Sequence, residues 1–273
     1  VSETLPATEK PHFSVPKIAE IELPSRGIFY GGKLPNGSTT ITPMTTKDEK
    51  ILMGANQQDR IGLVNIILER HLDTKGVPME DLLVGDAFYA LLMLRNITFG
   101  AEYRIKLKCD ECSEPFQKSL YVPRDLTIRA LVPGKDKEPF EATLPVCGKR
   151  IGLRHQRGSD EKQVRSYVRQ SRNAMQDKGE KQSGDPAYTY RMARVITHID
   201  GVPADLLKTI HWLDGEEFHS ADSLAMQHAI IENSCGVDLR LMFPCPECGE
   251  ENRIMFPVTA EFFRPQRLSF DGG

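Results

Sequence analysis

Two CxxC pairs, separated by 132 residues of a 273-residue chain, each interrupt a strand–turn–strand pattern. Cys109-Asp-Glu-Cys112 follows Tyr103-Arg-Ile105-Lys-Leu107-Lys and precedes Phe116-Gln-Lys-Ser-Leu120-Tyr-Val122. Cys245-Pro-Glu-Cys248 follows Leu239-Arg-Leu241-Met-Phe243 and precedes Arg253-Ile-Met-Phe256-Pro-Val258. Apolar residues at period two on both sides of a turn predict a hairpin. Two cysteines spaced by two residues bring both thiolates to one Zn2+ at about 2.3 Å. Gly249 eases the second turn, because glycine accepts a positive φ. Hairpins of this kind are the two halves of a zinc ribbon.

Common ribbons place only about 15–20 residues between the two pairs. Closing a loop roughly sevenfold longer costs about 2 kcal/mol more. A four-thiolate zinc site contributes on the order of 10 kcal/mol at neutral pH. The metal term is the larger, so one structural Zn2+ per chain, held by Cys109, Cys112, Cys245 and Cys248, is expected. Two other readings exist: redox-active dithiols, which normally follow a strand at a helix N-terminus, and separate half-sites that bridge to other chains. Cys147 and Cys235 stand alone and read as small buried hydrophobes.

The remaining chemistry is sparse. Lys and Arg total 35 against 38 Asp and Glu, a net charge of -3, which argues against coating nucleic acid by charge alone. No apolar run approaches the roughly 18–20 residues of a membrane span, and no secretory signal is visible at the N-terminus. Phosphate-binding, dinucleotide, nucleophile-elbow and HExxH motifs are absent. His211 and His219, and the acids Glu216 and Glu217, read as surface groups rather than a catalytic set. A four-cysteine zinc site is closed to substrate, so no enzymatic activity is expected. Arg154-His155-Gln156-Arg157 and Arg165, Arg169 and Arg172 form basic clusters that read as a solvated face, with an acidic partner or nucleic acid as the alternative.

Patterning predicts the other elements. Ser38–Thr42 reads as a short strand, and Thr46 with Glu49 as a capping box opening a helix. Helices are expected over about 60–72, with Ile61, Val64, Ile67 and Leu68 on one face, and over about 80–98, apolar nearly all round. Strands are expected around 126–132 and 140–154, and a helix from Ser159 to about 175. After a linker at 176–185, an Asp185 cap with Pro186 opens a helix to about 198. Helices then fit 203–214 and 220–234, with Gly236 as the C′ residue.

The order of these signals is similar to a known family. Leu23-Pro-Ser-Arg-Gly-Ile-Phe-Tyr30, then Ile41-Thr-Pro-Met-Thr45, then Leu94-Arg-Asn-Ile-Thr-Phe-Gly100 leading to the first CxxC, and Gly236-Val-Asp leading to the second, resemble the baseplate hub subunits of T4-like contractile-tailed bacteriophages. The resemblance implies a virion component of the tail baseplate, present in the host cytoplasm during assembly. Its implied partners are other hub and central spike proteins and the tape-measure protein; membrane insertion and nucleic acid are not expected. The expected fold is α+β, a helical body around a composite zinc ribbon (101–122 with 237–258). An arm (1–22), an N-terminal part (23–100), an inserted part (123–236) and a tail (259–273) complete it. Phe262, Phe263, Leu268 and Phe270 of the tail are expected to bury against a neighbouring subunit. The rival from another class is a zinc-ribbon nucleic-acid-binding regulator, which would use Arg104, Lys106, Lys108, Lys118, Arg240 and Arg253.

Overall fold

Short strands and one central helix organise the N-terminal part of the computed structural model, which describes residues 18–53, 60–178, 184–257 and Phe262. The architecture is mixed α+β. Strand β1 (Ala19–Glu22) pairs antiparallel with β2 (Ser38–Ile41), Ala19 opposite Ile41. The last residues of the expected arm are therefore a strand; residues 1–17 lie outside the described residues.

Helix α1 (Thr46–Met53) starts from a box displaced by one residue from the expected one. The Asp48 carboxylate accepts the Thr45 N–H at 2.8 Å and the Thr45 O–H at 2.6 Å, so Thr45 rather than Thr46 caps the helix. Asp48 is fully buried, with Arg70 Nε at 2.7 Å and His71 Nε2 at 3.0 Å. Burial alone would raise its pKa. The hydrogen bonds from Thr45 and Arg70 and the charge on His71 outweigh that and hold it well below the usual carboxylate range. Arg70 and His71 end α2 (Arg60–His71), on which Ile67 and Leu68 are buried. The side chains of Ile61 and Val64 lie outside the described residues.

Helix α3 (Val84–Phe99) is apolar all round because it serves two cores. Ala90, Leu91 and Leu94 pack with Leu23, Ile41 and Leu68, whereas Leu92 packs with Tyr103, Val122 and Phe243. Its first turn also holds the Leu23–Gly32 turns in place. Buried Asp86 accepts the Ser25 N–H at 2.8 Å and the Tyr30 O–H at 2.5 Å, and the Tyr30 hydroxyl accepts the Leu83 N–H at 2.9 Å. Burial raises the Asp86 pKa despite these bonds.

Gly236 was expected to end the last helix, but it opens β10 (Gly236–Asp238). It meets α3 backbone to backbone at Gly85, where an added Cβ would lie 2.1 Å from the Cys235 carbonyl oxygen. Gly85→Ala must push two main chains apart. We expect a loss of about 3 kcal/mol or more in urea unfolding; a neutral result would show that the crossing yields easily.

β3 (Glu102–Lys108) pairs antiparallel with β4 (Pro115–Tyr121), and β11 (Arg240–Pro244) with β12 (Glu251–Met255). Between these pairs the chain makes β5 (Thr127–Arg129), which pairs with β10, and a four-stranded sheet in the order β6 (Phe140–Thr143), β7 (Arg150–Leu153), β8 (Ile196–Ile199), β9 (Val202–Pro203). The stretch read as strand over 140–154 is thus two strands, and Cys147 sits in the turn between them with Gly148 at φ 69°.

Helices α4 (Gly158–Lys178), α5 (Pro186–Val195), α6 (Leu206–Leu213) and α7 (Ser220–Asn233) follow. α5 is capped by Asp185, which accepts the Ala187 N–H at 2.9 Å. It stops earlier than expected, because the β-branched run from Ile196 pairs with β7 instead. α4 extends into the expected linker, of which 179–183 lie outside the described residues. Phe140, Ile151, Leu153, Met192, Leu213 and Met226 form the core of this part. No helix among the described residues is long and apolar enough to cross a membrane.

Candidate metal centre

Each CxxC turn is built the same way. Cys109 N–H donates to the Glu114 carbonyl at 3.0 Å and Ser113 N–H to the Cys109 carbonyl at 3.1 Å. In the second turn, Cys245 N–H donates to Glu250 at 2.8 Å and Gly249 N–H to Cys245 at 2.9 Å. The residue after the second cysteine has positive φ in both, 77° at Gly249 and 64° at Ser113. The conformation that favours glycine is thus also reached by a serine.

The fold brings the two turns together. All four sulfurs lie within 4.8 Å of one another and could hold a metal ion. Cys109 Sγ is 3.6 Å from Cys248 Sγ, and Cys112 Sγ is 3.7 Å from Cys245 Sγ. A tetrahedral ion with about 2.3 Å metal–sulfur bonds sets its sulfurs about 3.8 Å apart. Cys109 and Cys245 are buried, while Cys112 and Cys248 are exposed. The four thiols therefore present one pair to the hairpin core and one to solvent.

Their electrostatics also suits a cation. The Cys112 N–H, together with the Glu111 N–H and the thiols of Cys112 and Cys248, lowers the Cys109 pKa to about 6 against the effect of burial. Cys112 responds oppositely. The Glu114 N–H would lower it, but burial and the sulfurs of Cys248, Cys109 and Cys245 push it up to about 12. Sulfurs this close cannot all ionise beside one another; a divalent ion removes that conflict.

Asn252 escaped the sequence reading. It is buried on the inner face of β12, opposite Phe243. Its Oδ1 accepts the Asp110 N–H at 2.9 Å, and its Nδ2 donates to the Glu250 carbonyl at 3.0 Å. One side chain thus pins the first CxxC turn to the second hairpin. The available signal was an amide at an inward position of a strand, where the pattern called for an apolar residue.

The lone cysteines are half-buried rather than buried. Cys147 N–H bonds to Asp222 at 3.2 Å, and Cys235 packs against the core around α3. His211 lies on α6, beside an open pocket lined also by Leu207, Lys208, Trp212 and Glu217, while His219 precedes α7. The Arg154–Arg157 cluster is neutralised internally. Arg154 grips Asp160 at 2.6 and 2.8 Å, Arg194 reaches it at 3.0 Å, and Arg157 pairs with Glu138 at 2.7 Å. His155 is buried between Phe29 and Phe140. On the hairpins, Glu102 and Asp238 pair with Arg104 and Arg240, and Lys118 lies over the Phe243 ring.

The tail expectation is corrected at Phe262. It is fully buried in the chain's own core, in edge contact with Tyr103 and Phe256 at 5.2 and 5.6 Å. Buried Arg95 donates to its carbonyl and to those of Gly100 and Glu102. Phe263, Leu268 and Phe270 lie outside the described residues.

The centre defines a class: a four-sulfur cluster, able to hold a metal ion, that joins two sequence-distant strand pairs. Residues 27–144 match the model of the family described as T4 bacteriophage base plate protein. That match spans the first CxxC turn and α3, and it supports a likeness to T4-like baseplate proteins. No curated protein and no solved structure matches the chain.

Proposed function

We propose that the chain is a baseplate hub subunit or hub-assembly factor of a contractile phage tail, in which one structural Zn2+ cross-links its two CxxC hairpins. The observation that carries this reading is the convergence of Cys109, Cys112, Cys245 and Cys248 within 4.8 Å, with the baseplate match covering the first pair. Four thiolates in a tetrahedron suit Zn2+, and a filled shell leaves no site for substrate. The ion holds 101–122 against 237–258 as a composite zinc ribbon. The rigid surface thus formed serves contacts with other hub and central spike proteins.

Elemental analysis of the purified chain should return one zinc per chain. Cys147→Ser and Cys235→Ser should leave that value unchanged, whereas serine at any of the other four should abolish it. Zero or two zinc ions per chain would overturn the shared site. The hub assignment is tested separately by co-purification with intact tails or their assembly intermediates; absence from both would remove it.

A further inference from the structure

Helix α4 carries Arg165, Arg169 and Arg172 at spacings of four and three, which places them on one face. Arg169 and Arg172 are exposed and Arg165 is half-buried. Among the described residues, none of the three has a carboxylate partner. Arg154, Arg157, Arg191 and Arg194, by contrast, are all paired. Apart from Asp177, five residues beyond Arg172, the helix carries acids only in its first turn. Its first-turn acids Asp160 and Glu161 are held by Arg154, Arg194 and Arg191, and residues 162–176 contain no acid. The face is also held in place, because Val164 is buried and Tyr167 stacks on Tyr190 at 4.1 Å.

A surface of opposite sign lies elsewhere on the same chain. The CxxC turns expose Asp110, Glu111, Glu114, Glu247, Glu250 and Glu251, with no Lys or Arg in 109–114 or 244–251. None of these carboxylates makes an ion pair among the described residues. The formal charge of -3 divides accordingly: with these acids and the three arginines set aside, the rest of the chain is neutral. These are two surfaces of opposite sign, and no ion pair joins them within one molecule among the described residues.

We propose that the Arg165–Arg169–Arg172 face of α4 docks the acidic CxxC turns of a second copy of this chain. The two surfaces differ, so the contact is head to tail, and it closes a ring or continues as a filament according to the rotation between copies. Pairs between exposed charges are weak singly and screened by salt. The association is therefore sensitive to ionic strength and to concentration.

Sedimentation of the full chain tests this. At about 0.03 M salt the mass should rise with concentration, and at about 0.5 M, where the screening length is only a few Å, the chain should be monomeric. Reversing the stripe (Arg165→Glu, Arg169→Glu, Arg172→Glu) should weaken association at least about tenfold, as should reversing the turns (Glu247→Lys, Glu250→Lys, Glu251→Lys). An equimolar mixture of the two reversed proteins should associate again, because each then offers the other a complementary pair. The milder Arg169→Gln with Arg172→Gln, at two exposed positions, should weaken association without threatening the fold. A monomer at low salt, undiminished association of the stripe-reversed or Gln protein, or a mixture that stays apart would overturn the proposal. So would a stripe that retains mixed-sequence DNA while the chain stays monomeric.

Discussion

Stripping the proposed ion with a chelator is expected to loosen both hairpins while the core of α3 with β1, β2 and α2 and the core around α5–α7 stay folded. An isolated two-stranded hairpin is marginal in water, and each hairpin here is a two-stranded sheet. Without the ion, they are joined by their inner apolar residues, such as Tyr103, Leu120, Leu241 and Phe243, and by the Asn252–Asp110 hydrogen bond. Amide exchange should rise across 102–121 and 240–255, and the melting temperature should fall by about 10 °C or more, the equivalent of several kcal/mol in a chain of this size. Cys109→Ser should reproduce the effect, and Cys147→Ser should not. Acidification should do the same, because thiolates that hold an ion release it as they take up protons. Unchanged exchange in both hairpins after metal removal would sink the cross-link.

Phe262→Ala is expected to cost about 3–5 kcal/mol in the isolated chain. The ring is fully buried between Tyr103 on β3 and Phe256 just after β12, so it closes the junction of the hairpins at the end away from the cysteines. Arg95 is buried with no carboxylate partner among the described residues and gives its donors to the carbonyls of Gly100, Glu102 and Phe262. Loss of the ring therefore also disturbs a desolvated cation, whose pKa burial already lowers. Urea unfolding of the chain on its own is the measurement. A stable variant that fails only in tail incorporation would return Phe262 to the role of a docking residue.

What the sequence made legible was local. Tyr103, Ile105 and Leu107 alternate cleanly, and a CxxC needs only a tight turn, so both hairpins and their cysteines could be read directly. That the pairs meet depends on the fold of everything between them, and spacing alone left half-sites and dithiols open. The errors were failures of tertiary context. Thr45 and Thr46 are both plausible caps, and the choice is fixed by Asp48, which must also meet Arg70 and His71. Gly236 reads as a helix stop, but its lack of a side chain serves a crossing with Gly85. Phe262 sits in an aperiodic stretch, and periodicity cannot report a single residue that plugs a core. Asn252 and Arg95 were silent because one buried polar residue leaves no repeating signal.

The placement of Cys109 and Cys245 on either side of the β6–β9 sheet also sets an order in time. The first pair emerges early in synthesis, yet its partners follow only after 132 further residues. At about 5–20 residues per second, that interval is roughly 7–26 s. During it, the Cys109 and Cys112 thiols have no second pair to share an ion with. The four-sulfur centre is thus a terminal event in the making of the chain: it can close only once the whole intervening segment exists, and a nascent chain truncated before Cys245 never acquires it.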